Sequence, residues 1–286
     1  MNNLTIIGDR RCPTTWAYLH YLYKAKLKIK NLWLVDFFNS KTRNKYKRLI
    51  LNTFIAKSFI SLNRDIKDLF KNKDFKKLSQ DFQFDASLEI IKNMRKKDLN
   101  QISANVSYFS FSGFDDENLK QKIIENVDTA FLYTNGGIVP QTILELDMVK
   151  ILHIHPGIVP YFRGSDCLIW SAFIKGKLGA SCFYMNPKID EGKVIQTQEY
   201  PLPKIGTLNS ALIIDDGETA YKLLLSTIDP HLRGNLFQKI VSENNGKDFR
   251  NLRCHEQIKY NRTAFLKIHP ILRNKLIKKC FLPDHL

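Results

Sequence analysis

No apolar run in the 286 residues approaches the roughly 20 that a membrane-spanning helix needs. The start, Met1-Asn2-Asn3-Leu4, carries neither a basic leader nor a long apolar stretch, so no secretory signal is expected. The cysteines, Cys12, Cys167, Cys182, Cys254 and Cys280, are odd in number and scattered. None has C-x-x-C or metal-knuckle spacing, and a reducing, cytoplasmic setting is expected. No G-x-G-x-x-G and no Walker lysine follows the first apolar strand, which removes support for a dinucleotide or P-loop site there. Internal repeats and low-complexity linkers are missing as well. What remains is a globular composition, 44% hydrophobic and 12% aromatic, enough to bury a core.

The net charge of +16 is unevenly spread. Residues 1–40 sum to +4, residues 41–97 to +10, residues 98–230 to −6 and residues 231–286 to +8. A mildly acidic centre between basic flanks suits a polyanionic partner, either RNA, a nucleotide-linked substrate or an acidic membrane face. Solvated surface lysines in a Lys/Asn-rich chain explain the same numbers.

Apolar periodicity sets out the organisation. Leu4–Gly8 and Leu32–Phe37 read as strands around a helix that opens at Pro13, a parallel strand–helix–strand start. Residues 41–100 read as a basic helical insertion. Strands are expected at Val106–Phe111, Thr129–Thr134, Val149–His155, Ala180–Met185 and Val194–Tyr200. Helices are expected at Asp115–Ile124, Pro140–Leu146, Cys167–Lys175 and Gly217–Ile228. Pro201 and Pro203 mark a boundary. From His231 the chain reads as less regular, with short helical stretches such as Leu272–Cys280. The expected architecture is α/β, a Rossmann-like, mostly parallel sheet flanked by helices. It divides into a catalytic domain at 1–200 and a small C-terminal appendage at 201–286.

The densest chemical signal lies between Leu152 and Gly192. Apolar Ile151, Leu152 and Ile154 lead into His153 and His155, and Pro156-Gly157 stops the strand. Residues two apart on a strand share a face, so the two imidazoles project together. Asp190 arrives from a later loop, in Ile189-Asp190-Glu191-Gly192. Two histidines and a carboxylate can move protons or hold a metal.

These residues resemble the N10-formyltetrahydrofolate-dependent formyltransferase family. The match runs through His153-Ile154-His155-Pro156-Gly157-Ile158-Val159-Pro160, then Arg163-Gly164, then Met185…Asp190-Glu191-Gly192. Upstream, Tyr133-Thr134-Asn135-Gly136-Gly137-Ile138-Val139-Pro140 is similar to the family loop whose backbone holds the pterin. The similarity is good over about residues 127–200, holds only by pattern over 1–40 and 100–126, and hardly extends to the tail. One position departs from the pattern: the family's catalytic Asn is His153 here.

The resemblance implies a formyl donor, N10-formyltetrahydrofolate, and a primary amine acceptor. It implies His155 as the central acid/base group, Asp190 as its orienting carboxylate and His153 as oxyanion donor in place of the amide. Asn135, Gly136, Gly137, Ile138 and Val139 would offer backbone groups to the pterin, and Arg163 and Gly164 would meet the substrate. No resident metal is implied. Arg163 also has a simpler reading, an ion pair with Asp166, and Trp170 reads as core. The irregular tail lacks the strand pattern of an RNA-contacting barrel. The expected acceptor is therefore a small anionic molecule, a nucleotide-linked amino sugar, ahead of nucleic acid. The tail could also serve a homodimer. Two other readings stand beside this one: a metal-dependent hydrolase using His-x-His plus Asp, and a formyltransferase-like protein without activity that binds RNA.

Overall fold

The computed structural model describes residues 1–37, 88–134, 137–202, 221, 224–260 and 263–281. Residues 38–87, which hold most of the expected basic insertion, lie outside the described residues. So do Asn135 and Gly136, and half of the helix expected at Gly217–Ile228, whose last turn is described as helix at Leu224–Ile228.

Seven strands form one sheet in the order β3-β2-β1-β4-β5-β6-β7. They are β1 (Asn2–Asp9), β2 (Ile29–Phe37), β3 (Asn105–Phe111), β4 (Ala130–Tyr133), β5 (Ile151–His155), β6 (Lys177–Tyr184) and β7 (Val194–Pro201). The first five run parallel, and β6 and β7 add an antiparallel edge beside β5. The α-helices among the described residues are α1 (Pro13–Lys24), α2 (Leu88–Met94), α3 (Glu117–Ile124), α4 (Gln141–Leu144), α5 (Cys167–Lys175), α6 (Asp229–Glu243) and α7 (Pro270–Phe281). The expected doubly covered, mostly parallel α/β sheet is the one observed.

Strand alternation sorts the apolar residues into two layers. On β2, Leu32 and Leu34 join one core cluster while Trp33 and Val35 join the other. On β4, Leu132 faces the first layer and Phe131 and Tyr133 the second. A parallel sheet needs both faces covered, which is why its strands read as near-continuous apolar runs. The first layer is thick, built with α1, α5, α6 and α7. The second uses α3 and the four-residue α4, so its cover among the described residues is thin.

The tail is more regular than its sequence pattern indicates. Asp229–Glu243 is one 15-residue helix, which corrects the expectation of short helical stretches after His231. It packs on α1, with the Tyr18 and Phe237 rings 5.2 Å apart. Leu232, Leu236, Phe249, Ile277 and Phe281 belong to the same cluster as Leu4 and Ile6 of β1. The pattern hid α6 because its first half is buried nearly all round with polar residues among the apolar ones, including Asp229, His231 and Arg233. A helix buried on all sides shows no amphipathic stripe.

Candidate active site

Alternation along β5 settles where the two histidines point. Leu152 and Ile154 enter the thick layer, and Ile151 enters the thin one. His153 and His155 share the face of Ile151, with ring centroids 6.4 Å apart. Both rings contact Phe183, the β6 residue paired with His153. Among the described residues, the helix at this end of the second layer is the four-residue α4.

The loop after β5 is braced by Ser181, which pairs with His155 across the β5–β6 ladder. Its hydroxyl donates to the Gly157 carbonyl at 2.6 Å and accepts the Val159 N–H at 3.1 Å. The loop then turns the Phe162 carbonyl onto His155, whose Nε2 lies 2.9 Å away. A carbonyl only accepts, so Nε2 carries a proton. That leaves Nδ1, 3.5 Å from Asp190 Oδ2, as the nitrogen that exchanges protons. Burial pushes the His155 pKa below the ordinary histidine value, against the opposing pull of Asp190 and the Phe162 carbonyl.

His153 is more isolated. Burial, the nearby Arg233 guanidinium and His155 bring its pKa down to about 3, while Asp190 and a hydrogen bond to the Tyr133 carbonyl act the other way. The ring is therefore neutral and carries a single proton. Nδ1 is buried without a protein partner, so the Tyr133 carbonyl falls to Nε2. With its proton on Nε2, His153 presents a lone pair at Nδ1.

Asp190 reaches this place by a detour. β6 ends at Tyr184, opposite Leu152, and the following loop doubles back across the sheet face to bring Asp190 beside His155. Gly192 permits the fold-back, since a Cβ there would lie 1.6 Å from the Tyr184 carbonyl oxygen. Asp190 itself has φ of 54°, a region in which Asp is among the better tolerated residues. Its Oδ2 accepts the Gly164 N–H at 2.8 Å. His153, His155 and Asp190 thus each turn one ligating atom inward, and these atoms lie within 4.8 Å of one another.

The remaining expected residues separate by role. Gly164 serves the carboxylate through its N–H, with φ of 95° and its backbone pressed against Phe265. Arg163 pairs with Glu191. The pairing with Asp166 considered from the sequence is not what holds it, because Asp166 accepts the Tyr221 hydroxyl at 2.7 Å and the Ile268 N–H at 2.8 Å. Trp170 is partly buried against the main core and stacks on Phe265 at 5.0 Å, as expected of a core residue. Of the expected pterin loop, Gly137 has φ of 127°, Ile138 is 81% exposed and Val139 is buried in the thin layer. The loop follows β4, whose Leu132 pairs with Leu152, so it opens at the same sheet edge as the histidines.

Sequence reasoning missed the contribution of the tail. Phe265 forms a bridge beside the Arg163–Ser165 loop, and the Gln257 amide donates to the carbonyls of Asp190 and Gly192 at 2.8 and 2.9 Å. Next to these contacts lies a cleft of about 570 Å³ whose walls include Arg163, Lys188, Glu191, Gln257, Lys259 and Tyr260. Behind β5, Arg233 is buried against Asp229 at 2.8 Å, Thr14 Oγ1 at 2.7 Å and the Ile154 carbonyl at 3.3 Å. Apart from the i,i+4 pair of Asp229 and Arg233 on α6, each of these contacts is long-range, and no spacing rule marks it.

The chain is similar to several known proteins. The sequence matches the family profile described as formyl transferase over residues 59–210. Methionyl-tRNA formyltransferase of Clostridium novyi is 28% identical over 120 residues, 40% of this chain and 37% of that protein. The enzyme of the same name from Geobacillus thermodenitrificans is 30% identical over 107 residues, 35% of this chain and 32% of that protein. The matched stretch thus spans about a third of these relatives' length. Among solved structures, a sugar N-formyltransferase from a Shewanella species aligns at TM-score 0.43 and 13% identity, covering 93% of this chain and 75% of that one. Phosphoribosylglycinamide formyltransferase from Streptococcus pneumoniae aligns at TM-score 0.43 and 15% identity, covering 85% and 98%.

Proposed function

The chain belongs to the formyl transferase family, and from that membership we propose that it moves the formyl group of N10-formyltetrahydrofolate onto a primary amine. The observation that carries the reading is the approach of Asp190 Oδ2 to within 3.5 Å of His155 Nδ1, on an imidazole whose other nitrogen is already held by Phe162.

In the proposed reaction the amine nitrogen attacks the formyl carbon and the carbonyl oxygen becomes an oxyanion. The new C–N bond forms, the bond to N10 of the folate breaks, and one proton travels from the amine to N10. His155 Nδ1 takes that proton and returns it, general acid–base work worth typically about 10²–10⁴-fold in rate. Asp190 steadies the imidazolium in between. Three inward-facing acceptors, at His153, His155 and Asp190, also suit an amine, which brings its own N–H donors.

His153 is the position where this chain departs from the family pattern. It can donate to the oxyanion only from a protonated Nδ1, and the contacts of the ring favour the proton on Nε2. The pterin is assigned to the backbone of the loop from Asn135 and Gly136 through Gly137, Ile138 and Val139. The acceptor is assigned to the cleft beside Gln257. Lys188 and Lys259 on its walls, beside Arg163 in its pair with Glu191, suit an anionic small molecule such as a nucleotide-linked amino sugar. A tRNA acceptor is the second reading, favoured by the +8 charge of residues 231–286.

The test is to incubate the protein with N10-formyltetrahydrofolate and either a panel of nucleotide amino sugars or aminoacylated initiator tRNA, and to look for the added formyl group by mass spectrometry. A formylated sugar supports the first acceptor and a formylated tRNA the second. Failure of both, with tetrahydrofolate binding intact, overturns the transfer reading.

A further inference from the structure

We propose that His153, His155 and Asp190 form a binding site for one divalent transition-metal ion, with zinc as the best match to their chemistry. This goes beyond the proposed transfer activity and does not rest on it. Two imidazole nitrogens and one carboxylate oxygen make up the donor set, with the fourth position left to an exogenous ligand, an arrangement zinc takes readily.

Three independent features of the site agree. The first is distance. Ligands about 2.1 Å from a tetrahedral ion stand about 3.4 Å from one another. His155 Nδ1 and Asp190 Oδ2 are 3.5 Å apart, and all three ligating atoms lie within 4.8 Å, so small side-chain rotations close the set.

The second feature is that the outer contacts already point the ligands. Metal-bound histidines usually give their other N–H to a carbonyl or carboxylate, which fixes the ring and its tautomer. His155 gives Nε2–H to the Phe162 carbonyl at 2.9 Å. Asp190 is held by the Gly164 N–H at 2.8 Å and through its backbone by Gln257.

The third feature is an imbalance of donors and acceptors. His155 Nδ1 and Asp190 Oδ2 are two acceptors facing each other. His153 Nδ1 is a third, in a residue only 9% exposed, with no protein partner. A cation between them satisfies all three at once. Arg233, the cation behind the strand, is tied to Asp229, Thr14 and the Ile154 carbonyl, so it does not supply that charge itself. The family-pattern Asn at position 153 would bring an amide in place of the second imidazole, so the site depends on the residue at which this chain departs from that pattern.

The experiment is a calorimetric titration of the chelator-treated full chain with zinc chloride, repeated with cobalt chloride while the visible spectrum is recorded. His153→Asn and Asp190→Asn are measured alongside, with circular dichroism to check the fold. The expected result is one equivalent of zinc on the original chain, with affinity lowered about 100-fold or more in either variant. Cobalt is expected to show the ligand-field bands of a four- or five-coordinate ion, lost with His153→Asn. No zinc uptake by the original chain, or the same affinity and spectrum in both folded variants, overturns the proposal. Because the readout is binding, that failure is separate from any failure of formyl transfer, which is measured in the presence of chelator.

Discussion

The side-chain amide of Gln257 donates to the Asp190 carbonyl at 2.8 Å, so the tail grips the loop that presents the carboxylate to His155. The same amide reaches the Gly192 carbonyl at 2.9 Å, bracketing the turn on both sides. Neither partner touches the reacting atoms. The tail in this way controls geometry at a centre assembled by the sheet.

This makes Gln257 a positioning residue with a measurable role. Gln257→Ala removes two hydrogen bonds, each worth about 1 kcal/mol, and frees the Asp190 loop. Turnover is expected to fall roughly ten- to hundred-fold, since small misplacements of a catalytic group are costly, with little change in KM for the folate. Steady-state kinetics on the variant test this. Unchanged kcat would show that the loop holds its shape without the tail.

His155→Ala and Asp190→Ala are each expected to reduce formyl transfer by about 10²-fold or more while leaving the fold intact. Neither side chain belongs to the main apolar cluster, so circular dichroism and thermal melting should stay close to the original. Near-normal turnover in either variant would remove that residue from the chemistry.

His153→Asn supplies an amide N–H where the present ring offers a lone pair. With chelator present, formyl transfer by this variant is expected to rise by about tenfold or more, an oxyanion donor commonly being worth about 10²–10³ in kcat. Single-turnover kinetics isolate the effect from product release. A slower variant would mean that the His153 proton sits on Nδ1 during the reaction.

Protonation of the same ring sets a pH dependence of stability. Burial holds the folded His153 pKa at about 3, below the ordinary histidine value of 6.5, so between these values the unfolded chain binds a proton that the folded chain does not. Its contribution is whole above pH 6.5 and is lost as pH falls toward 3. The limiting slope is about 1.4 kcal/mol per pH unit. His153→Asn should flatten the acid limb of a denaturation series by up to that slope, and an identical limb would show that the ring is already charged.

Arg233→Ala leaves Asp229 buried without its partner, beside an Oδ1 that already has none. Burial raises the Asp229 pKa even with Arg233 in place. A loss of about 3–5 kcal/mol in denaturant unfolding is expected, the usual cost of breaking a buried pair from one side. A loss below 1 kcal/mol would show that water reaches Asp229.

Much of the fold was legible from local pattern, and where it failed the cause is physical. The strands around Ile6, Leu34, Leu132 and Leu152 read as apolar runs because a doubly covered parallel sheet buries both faces of each strand. The α5 boundaries at Cys167 and Lys175 matched expectation because an apolar run stops at Gly176, in the left-handed region with φ of 63°. The α6 helix was missed because Asp229, His231 and Arg233 are buried within it, His231 and Arg233 reaching partners far off in sequence and Asp229 paired with Arg233.

The common face of His153 and His155 was determined by sequence alone, because a strand alternates with a period of two and Pro156-Gly157 ends it there. Which nitrogen of each ring is free, that Asp190 folds back over 34 residues of intervening chain to meet His155, and that Gln257 and Phe265 hold the loops in place were decided only in three dimensions. These depend on single backbone carbonyls and N–H groups. Every residue supplies the same backbone groups, so they leave no mark on the order of side chains.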